Sequence, residues 1–189
     1  MKTAKLILGD WNTKTIVGVA LGAALFGVLM VYGGITVFTN TRLTTAFLVP
    51  VVVGALFGPL PAAVAAGLGN VVADFIGAWG YWFDWSVGNA VLGFFIGLLP
   101  VYGAVITKGK FTVVHAVIFV ICGFVGNFVG FGLVTPVVTL LLYGGELTVT
   151  LAQAWAAGIS NSVVLIVGGV PLLFALSKVF ASSNNLTKE

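Results

Sequence analysis

Charge is scarce in this sequence. Only 7% of its 189 residues are charged and 60% are hydrophobic, whereas soluble domains average about 25% charged residues. The mean hydropathy is +1.18. This composition excludes an ordinary soluble domain and is typical of an integral membrane protein. The net charge of +3 does not indicate nucleic-acid binding, because the lysines lie in short connections and tails and form no basic stripe.

Cysteine and histidine are also scarce, with one of each. Cys122 lies in an apolar run, so the sequence has no disulfide framework and no thiolate metal site. His115 alone cannot form a histidine metal cluster or a bis-histidine haem site, and we expect no metal and no cofactor. The sequence lacks a His-x-x-x-x-His pair, a Gly-x-Ser-x-Gly elbow and a Gly-x-x-x-x-Gly-Lys-Ser/Thr loop. We therefore expect that the chain is not an enzyme and that any ATP is used by partners.

The apolar runs predict six membrane-spanning helices in a single domain. A bilayer requires about 20 apolar residues per helix, and this chain has room for six with short loops. The predicted spans cover residues 14–32, 43–57, 62–78, 85–106, 113–143 and 149–181. The sequence thus predicts an all-α integral membrane protein with an N-terminal segment (1–13), a six-helix transmembrane domain (14–181) and a C-terminal tail (182–189).

The distribution of lysine predicts the orientation in the cell membrane. With both termini in the cytoplasm, seven of the eight cations lie on the cytoplasmic side, as the positive-inside rule requires. These seven are Lys2, Lys5, Lys14, Lys108, Lys110, Lys178 and Lys188. Arg42, Asp84 and Glu146 then lie at the outer ends of the helices. We therefore predict cytoplasmic termini and an outward-facing loop after the third span.

That loop belongs to the most unusual stretch of the chain, Asp74–Asn89. It holds three of the five tryptophans and two of the five carboxylates. Rings with a few fixed polar groups suit a pocket for a flat, partly polar molecule, although an aromatic belt at the membrane surface has the same composition. Residues predicted to line a site at this outer end are Arg42, Asp74, Trp79, Tyr81, Trp82, Asp84, Trp85, Asn89, Gln153 and Trp155. Asn127, deeper in its span, is a further candidate.

Several of these polar residues also have structural interpretations. Arg42 can reach the lipid headgroups from a short helix. Asn127 and Asn161 lie deep in their spans, where each either bonds to another helix or contacts a ligand. Asp74 follows Asn70 by one turn on the same helix face. An acid at this depth lines a pocket, pairs with Arg42 or the backbone, or reaches interfacial water.

The first span carries small residues at four-residue spacing, which allows close helix packing in lipid. The pairs are Gly18 with Gly22, Ala20 with Ala24, and Ala23 with Gly27. Such faces pack either inside the same protein or against a partner. The predicted partner-docking residues are Ala20, Ala23, Ala24 and Gly27.

Three passages, Lys14–Leu25, Leu56–Asn70 and Trp82–Leu98, carry a resemblance to a known family. In this order they resemble the substrate-binding (S) components of energy-coupling-factor (ECF) vitamin transporters, and the likeness extends from Lys14 to Ala181. The resemblance implies a six-helix protein that captures a water-soluble vitamin or precursor outside the cell. It also implies docking of an Ala-x-x-x-Ala face, matched by Ala20 and Ala24, onto a transmembrane coupling subunit that carries two ATPase subunits.

The motifs do not separate hydroxymethylpyrimidine or pyridoxine, riboflavin and cobalamin as ligands. The resemblance places the ligand among the first and third outer loops and the outer ends of helices four to six. The matching positions in this sequence are Asn40, Trp79 to Trp85, Asn89, Gln153 and Trp155. The aromatic, weakly charged wall favours a heteroaromatic, near-neutral ligand over a phosphate or polyanion. The alternative function is a stand-alone proton-coupled secondary transporter in which Asp74 titrates.

Overall fold

The computed structural model describes residues 2–39 and 41–186, most of which are helical. The helices are α1 (Lys2–Leu8), α2 (Thr13–Tyr32), α3 (Leu48–Phe57), α4 (Pro59–Ile76), α5 (Phe83–Ile96), α6 (Val113–Asn127), α7 (Thr135–Tyr143), α8 (Leu147–Val164) and α9 (Val170–Leu186). The strands are β1 (Gly34–Phe38) and β2 (Thr41–Thr44). Short 3-10 turns occupy Thr45–Phe47, Leu99–Tyr102 and Ile106–Lys108.

Within the described residues, five helical stretches are long and apolar enough to cross a membrane. They are Thr13–Tyr32, Pro59–Ile76, Phe83–Tyr102, Val113–Tyr143 and Leu147–Ser183. The second predicted span corresponds to a shorter apolar helix, Thr45–Phe57. The all-α membrane fold is confirmed, whereas six complete spans and cytoplasmic termini stay predictions.

Several helix boundaries differ from the sequence prediction, and two of the differences have a clear physical reason. Helix α4 begins at Pro59 rather than at residue 62, because proline fits the first turn of a helix, where its missing N–H is not needed. Helix α5 ends at Ile96 rather than at residue 106. Gly97 terminates it, and Pro100 cannot continue an α-helical ladder three residues later.

Each long C-terminal span contains a π-helical turn just before a proline. Phe128–Val134 joins α6 to α7 ahead of Pro136, and Leu165–Gly169 joins α8 to α9 ahead of Pro171. Proline has no N–H to donate to the carbonyl four residues earlier, so the helix adjusts its hydrogen bonding there. One result is that Phe131 lies buried in the bundle.

An antiparallel hairpin, β1–β2, connects α2 to α3, and the sequence did not predict it. Ile35 pairs with Leu43 and Thr36 with Arg42, with a register shift between Thr36 and Phe38. β-branched residues favour such pairing. The hairpin lies against α8, so it forms one wall of the space between the helix ends.

Close packing of small residues fixes the rotation of α2. A Cβ at Gly22 would lie 2.9 Å from Val53 Cγ2 of α3. A Cβ at Gly27 would lie 2.5 Å from Val72 Cγ1 of α4. Ala20 and Ala24 are exposed, whereas Ala23 and Gly27 are buried. The assignment of Ala23 and Gly27 to the docking face is therefore corrected, since both pack inside this chain.

We expect Gly27→Val to destabilise the protein. The added side chain would overlap Val72 and approach the backbone nitrogen of Ala73, 3.1 Å from the Cβ position, and such overpacking costs about 1–3 kcal/mol. Thermal unfolding in detergent should show a lower melting temperature. Ala20→Val, on the exposed face, is the matched control and should leave the melting temperature unchanged. Equal melting temperatures for both variants would contradict this packing.

Helices α4 and α5 also approach closely, because glycine replaces larger side chains between them. A Cβ at Gly93 would lie 2.7 Å from the carbonyl oxygen of Ala62. In lipid, close contact of this kind drives helix association. The α4–α5 pair brings Asn70 within hydrogen-bonding distance of Asn89.

Candidate ligand-binding site

A cavity of about 370 Å³ lies among the hairpin and helices α2, α4, α5, α7 and α8. This volume falls within the range of about 300–1,000 Å³ that is typical of small-molecule sites. The residues that line it are Met30, Thr36, Thr41, Arg42, Phe47, Asn70, Asp74, Trp79, Trp82, Asp84, Trp85, Asn89, Phe131, Thr139, Gln153, Ala157 and Asn161. Aromatic rings and polar side chains therefore surround the same space.

Most of the predicted site residues come together in this lining. They are Arg42, Asp74, Trp79, Trp82, Asp84, Trp85, Asn89 and Gln153. Three described residues lie outside it: Tyr81 and Trp155 are exposed, and Asn127 is buried between helices. Asn40 lies outside the described residues. Ligand contact by any of these residues stays a prediction.

Other lining residues were not in the predicted site. Asn70 and Asn161 could have been found from the sequence, because an amide within an apolar span needs a hydrogen-bond partner. Thr139 could not have been found in this way, since a single threonine in an apolar helix is common. Phe47 and Phe131 look like ordinary core residues in the sequence. Only the helix rotation brings these three side chains to the cavity.

Asn70 connects α4 to α5 through a buried hydrogen-bond network. Its Nδ2 donates to Asp74 Oδ2 at 3.3 Å and to Ser86 Oγ at 3.2 Å. Its Oδ1 accepts a hydrogen bond from Asn89 Nδ2 at 2.9 Å. Buried networks of this kind fix side-chain positions. Asn70 therefore holds Asp74 and Asn89 in place at the cavity wall.

Asp74 anchors the loop between α4 and α5. Its Oδ2 accepts a hydrogen bond from the Trp82 N–H at 3.0 Å, and its backbone carbonyl accepts one from the Trp79 N–H at 3.1 Å. The Trp82 indole N–H donates to the Trp79 carbonyl at 3.0 Å. Asp74 thus combines two of the predicted roles, as a cavity-lining residue and as a backbone partner, and its side chain is buried.

Asp84 joins α5 to α7 and is completely buried. Its Oδ2 accepts a hydrogen bond from the Thr139 hydroxyl, and its backbone carbonyl accepts one from Thr135 Oγ1 at 3.3 Å. It lies in the first turn of α5, where the helix dipole stabilises a negative charge. Within the described part of the chain, no three His, Cys, Asp or Glu side chains come together as metal ligands.

Arg42 secures the hairpin to the end of α2. Its Nη2 donates to the carbonyl oxygens of Val31 at 3.0 Å and Gly34 at 2.8 Å, and its Nη1 donates to Thr36 Oγ1 at 3.3 Å. The guanidinium carbon lies 6.0 Å from the Trp79 ring centroid, within cation–π distance. Arg42 therefore connects the hairpin to α2 in the cavity wall.

The aromatic part of the lining forms two ring contacts between α5 and the later helices. The centroids of Trp82 and Tyr143 are 5.0 Å apart, and those of Trp85 and Phe131 are 5.8 Å apart. The Tyr143 hydroxyl also accepts a hydrogen bond from the Phe83 N–H at 3.1 Å. These contacts close the cavity laterally between α5 and α7.

Two deeper asparagines join α6 to α8. Asn127 Nδ2 donates to Ser162 Oγ at 3.1 Å and to the Gly123 carbonyl at 3.1 Å. Asn161 Nδ2 donates to Asn127 Oδ1 at 3.2 Å. Asn127 thus bonds to another helix, which was one of the two interpretations given from the sequence. Asn161 also bonds to another helix, and in addition it lines the cavity.

An apolar helical bundle around a polar, ring-lined cavity defines a membrane-embedded binding protein for a small molecule. Residues 10–178 match the family model described as "ECF-type riboflavin transporter, S component". The chain therefore belongs to this family. It is the substrate-binding subunit of a vitamin transporter and a multi-pass protein of the cell membrane, and it is not an enzyme. The resemblance proposed from the sequence is confirmed.

Relatives with similar sequences cover nearly the whole chain. A UPF0397 protein of Aliivibrio salmonicida is 34% identical over 184 residues, which is 94% of this chain and 97% of that protein. A UPF0397 protein of Photobacterium profundum is 34% identical over 178 residues, covering 93% and 96%. One of Streptococcus thermophilus is 28% identical over 178 residues, covering 94% and 98%.

Proposed function

We propose that this chain captures a flat heteroaromatic vitamin from outside the cell for ATP-driven uptake by an ECF module. The observation that carries the proposal is the cavity of about 370 Å³, which places three indoles beside amide and carboxylate groups. Rings give a planar ligand contact area, and the polar groups orient it. The cavity lies between the ends of α2, α4 and α5, which the lysine distribution assigns to the outer side.

Cavity size supports a selection among the vitamins considered. A single ring system such as hydroxymethylpyrimidine or pyridoxine is small for this volume, and the tricyclic flavin with its ribityl chain is larger but still drug-sized. Cobalamin, with a corrin ring and a nucleotide tail, is much larger than the cavity of about 370 Å³. We therefore propose a ligand of riboflavin size or smaller.

The partners in this proposal are a transmembrane coupling subunit and two ATPase subunits. Ala20 and Ala24 support a docking face, because they are exposed one turn apart on α2 and neither lines the cavity. Small exposed residues at this spacing allow a second helix to approach closely in lipid. Substrate capture and partner docking would then use different parts of the chain.

Ligand binding should quench the tryptophan fluorescence of the purified chain, since three indoles line the cavity. The titration would use riboflavin, pyridoxine, hydroxymethylpyrimidine and cobalamin. Trp155→Phe, which removes an exposed indole outside the lining, should retain the quench. No response to any of the four vitamins would contradict the proposal. Mass spectrometry of a co-purifying small molecule would identify the ligand directly.

The alternative of proton-coupled transport has one specific observation in its favour, the buried carboxylate of Asp74 within α4. Reconstitution separates the two functions. Liposomes that contain the chain alone should bind the vitamin without accumulating it, whatever pH gradient is imposed. Adding the coupling and ATPase subunits with ATP should start sustained uptake. Accumulation by the chain alone under a pH gradient would favour the alternative.

A further inference from the structure

Two buried side chains of the cavity lining each have an unused hydrogen-bond acceptor. Neither Asp84 Oδ1 nor Asn89 Oδ1 has a hydrogen-bond partner among the described residues. The two side chains are 0% and 2% exposed. Buried polar atoms are nearly always paired, and an unpaired atom is costlier on a charged group than on a neutral one. Both oxygens therefore require donors.

The donors of the hydrogen-bond network around these two oxygens already donate to other acceptors. The Thr139 hydroxyl donates to the other oxygen of Asp84. The Asn70 amide donates to Asp74 and Ser86, while Asn89 uses its own Nδ2 to donate to Asn70 and to the Trp85 carbonyl. Asp84 Oδ1 and Asn89 Oδ1 thus remain as unpaired acceptors of the lining, while Arg42 Nε on the hairpin is an unpaired buried donor.

The charges of the lining lead to the same conclusion. Two carboxylates, Asp74 and Asp84, line the cavity together with one cation, Arg42. The Arg42 guanidinium donates to backbone carbonyls and a threonine hydroxyl, and within the described residues neither carboxylate has an ion-pair partner. An anionic ligand would meet uncompensated negative charge here, whereas a ligand that donates N–H groups would not.

We propose that the ligand carries an amino group on or beside its heteroaromatic ring, and that this group donates hydrogen bonds to Asp84 Oδ1 and Asn89 Oδ1. Its ring would then lie among the indoles, where a cationic or amino-substituted ring also gains from the aromatic faces. This proposal rests on the proposed function, because it names the ligand class of the same cavity. We expect phosphorylated and carboxylated vitamins to bind more weakly, because they bring negative charge beside Asp74 and Asp84.

The test uses two pairs of ligands that differ at one substituent. Pyridoxamine carries an amine where pyridoxine carries a hydroxyl group, and 4-amino-5-hydroxymethyl-2-methylpyrimidine has a 4-hydroxy counterpart. Binding to the purified full chain is measured by tryptophan fluorescence and calorimetry. In at least one pair, the amino member should bind at least about tenfold more tightly, as expected for a charge-assisted hydrogen bond.

Asp84→Asn should abolish the preference for the amino member, so that the two members of a pair bind with a ratio of about one. The variant replaces a carboxylate acceptor with an amide that also donates. Glu146→Gln makes the same chemical change at an exposed position outside the cavity lining and should retain the preference. Thermal unfolding reports whether each variant is folded. The comparison of ligands on the unsubstituted chain does not depend on the folding of Asp84→Asn.

Three results would overturn the inference. One is equal or weaker binding of the amino member in both pairs. Another is an unchanged preference in folded Asp84→Asn. The third is tight binding of riboflavin with no binding of any of the four paired ligands, which would leave the proposed function intact. Failure of every vitamin to bind would instead remove the proposed function, and this inference with it.

Discussion

In the reconstituted transporter, Ala20→Trp combined with Ala24→Trp is expected to abolish vitamin uptake while the isolated chain still binds the vitamin. The two alanines are exposed on one face of α2, and helices that associate through small residues require close contact of their backbones. Two indoles would hold the coupling subunit away. Neither residue lines the cavity, so the affinity for the vitamin should not change. Uptake in proteoliposomes and calorimetric binding measure the two effects separately.

The control places the same two indoles on another helix. Val117 and Ile121 of α6 are exposed and also four residues apart, so Val117→Trp with Ile121→Trp adds equal bulk to a lipid-facing surface. Uptake should persist in this variant. Normal uptake by the α2 variant, or equal loss in both variants, would refute the docking face on α2.

Trp82→Ala and Asn89→Ala should each weaken vitamin binding without unfolding the chain. Trp82→Ala keeps the backbone N–H that donates to Asp74 Oδ2. The variant therefore removes the ring contact and preserves the hydrogen bond by which Asp74 anchors the loop. An aromatic contact with a bound ligand at such a position is worth about tenfold in affinity. Asn89→Ala removes the unpaired Oδ1 acceptor of a lining residue, and leaving a ligand donor without an acceptor corresponds to a loss of affinity of roughly 5- to 150-fold.

Trp155→Ala is the matched control for the indole. Trp155 is exposed, and its ring lies 6.4 Å from that of Phe128, away from the cavity lining. Its removal should leave the dissociation constant unchanged in calorimetry. Unchanged affinity in both Trp82→Ala and Asn89→Ala, or a loss in Trp155→Ala that equals the loss in Trp82→Ala, would move the binding site away from this cavity.

The sequence predicted part of the candidate site because its aromatic residues are close together in the chain. Trp79, Trp82 and Trp85 lie within one loop and the first turn of the next helix, so no knowledge of helix packing was required. Trp155 is exposed on α8 and lies outside the cavity lining, so its contact with a ligand stays a prediction. Depth follows from position along the chain, whereas the face depends on the rotation of α8.

The polar residues of the cavity could likewise be predicted only in part from the sequence. Asn70 was noted in the sequence only because it lies one turn before Asp74 on the same helix face, whereas its three partners are contributed by α4 and α5 together. Thr139 lies more than fifty residues from Asp84 in sequence. No local pattern connects them, because their contact depends on how α5 packs against α7.

The sequence by itself determined that this is a helical membrane protein and where its apolar segments lie. In lipid each helix must satisfy its own backbone hydrogen bonds over about 20 apolar residues, and that requirement is local. Only the tertiary structure decided which face of each helix turns inward. Contacts between distant segments, such as Gly27 against Val72, set those rotations, and they placed Ala23 in the interior and Thr139 at the cavity.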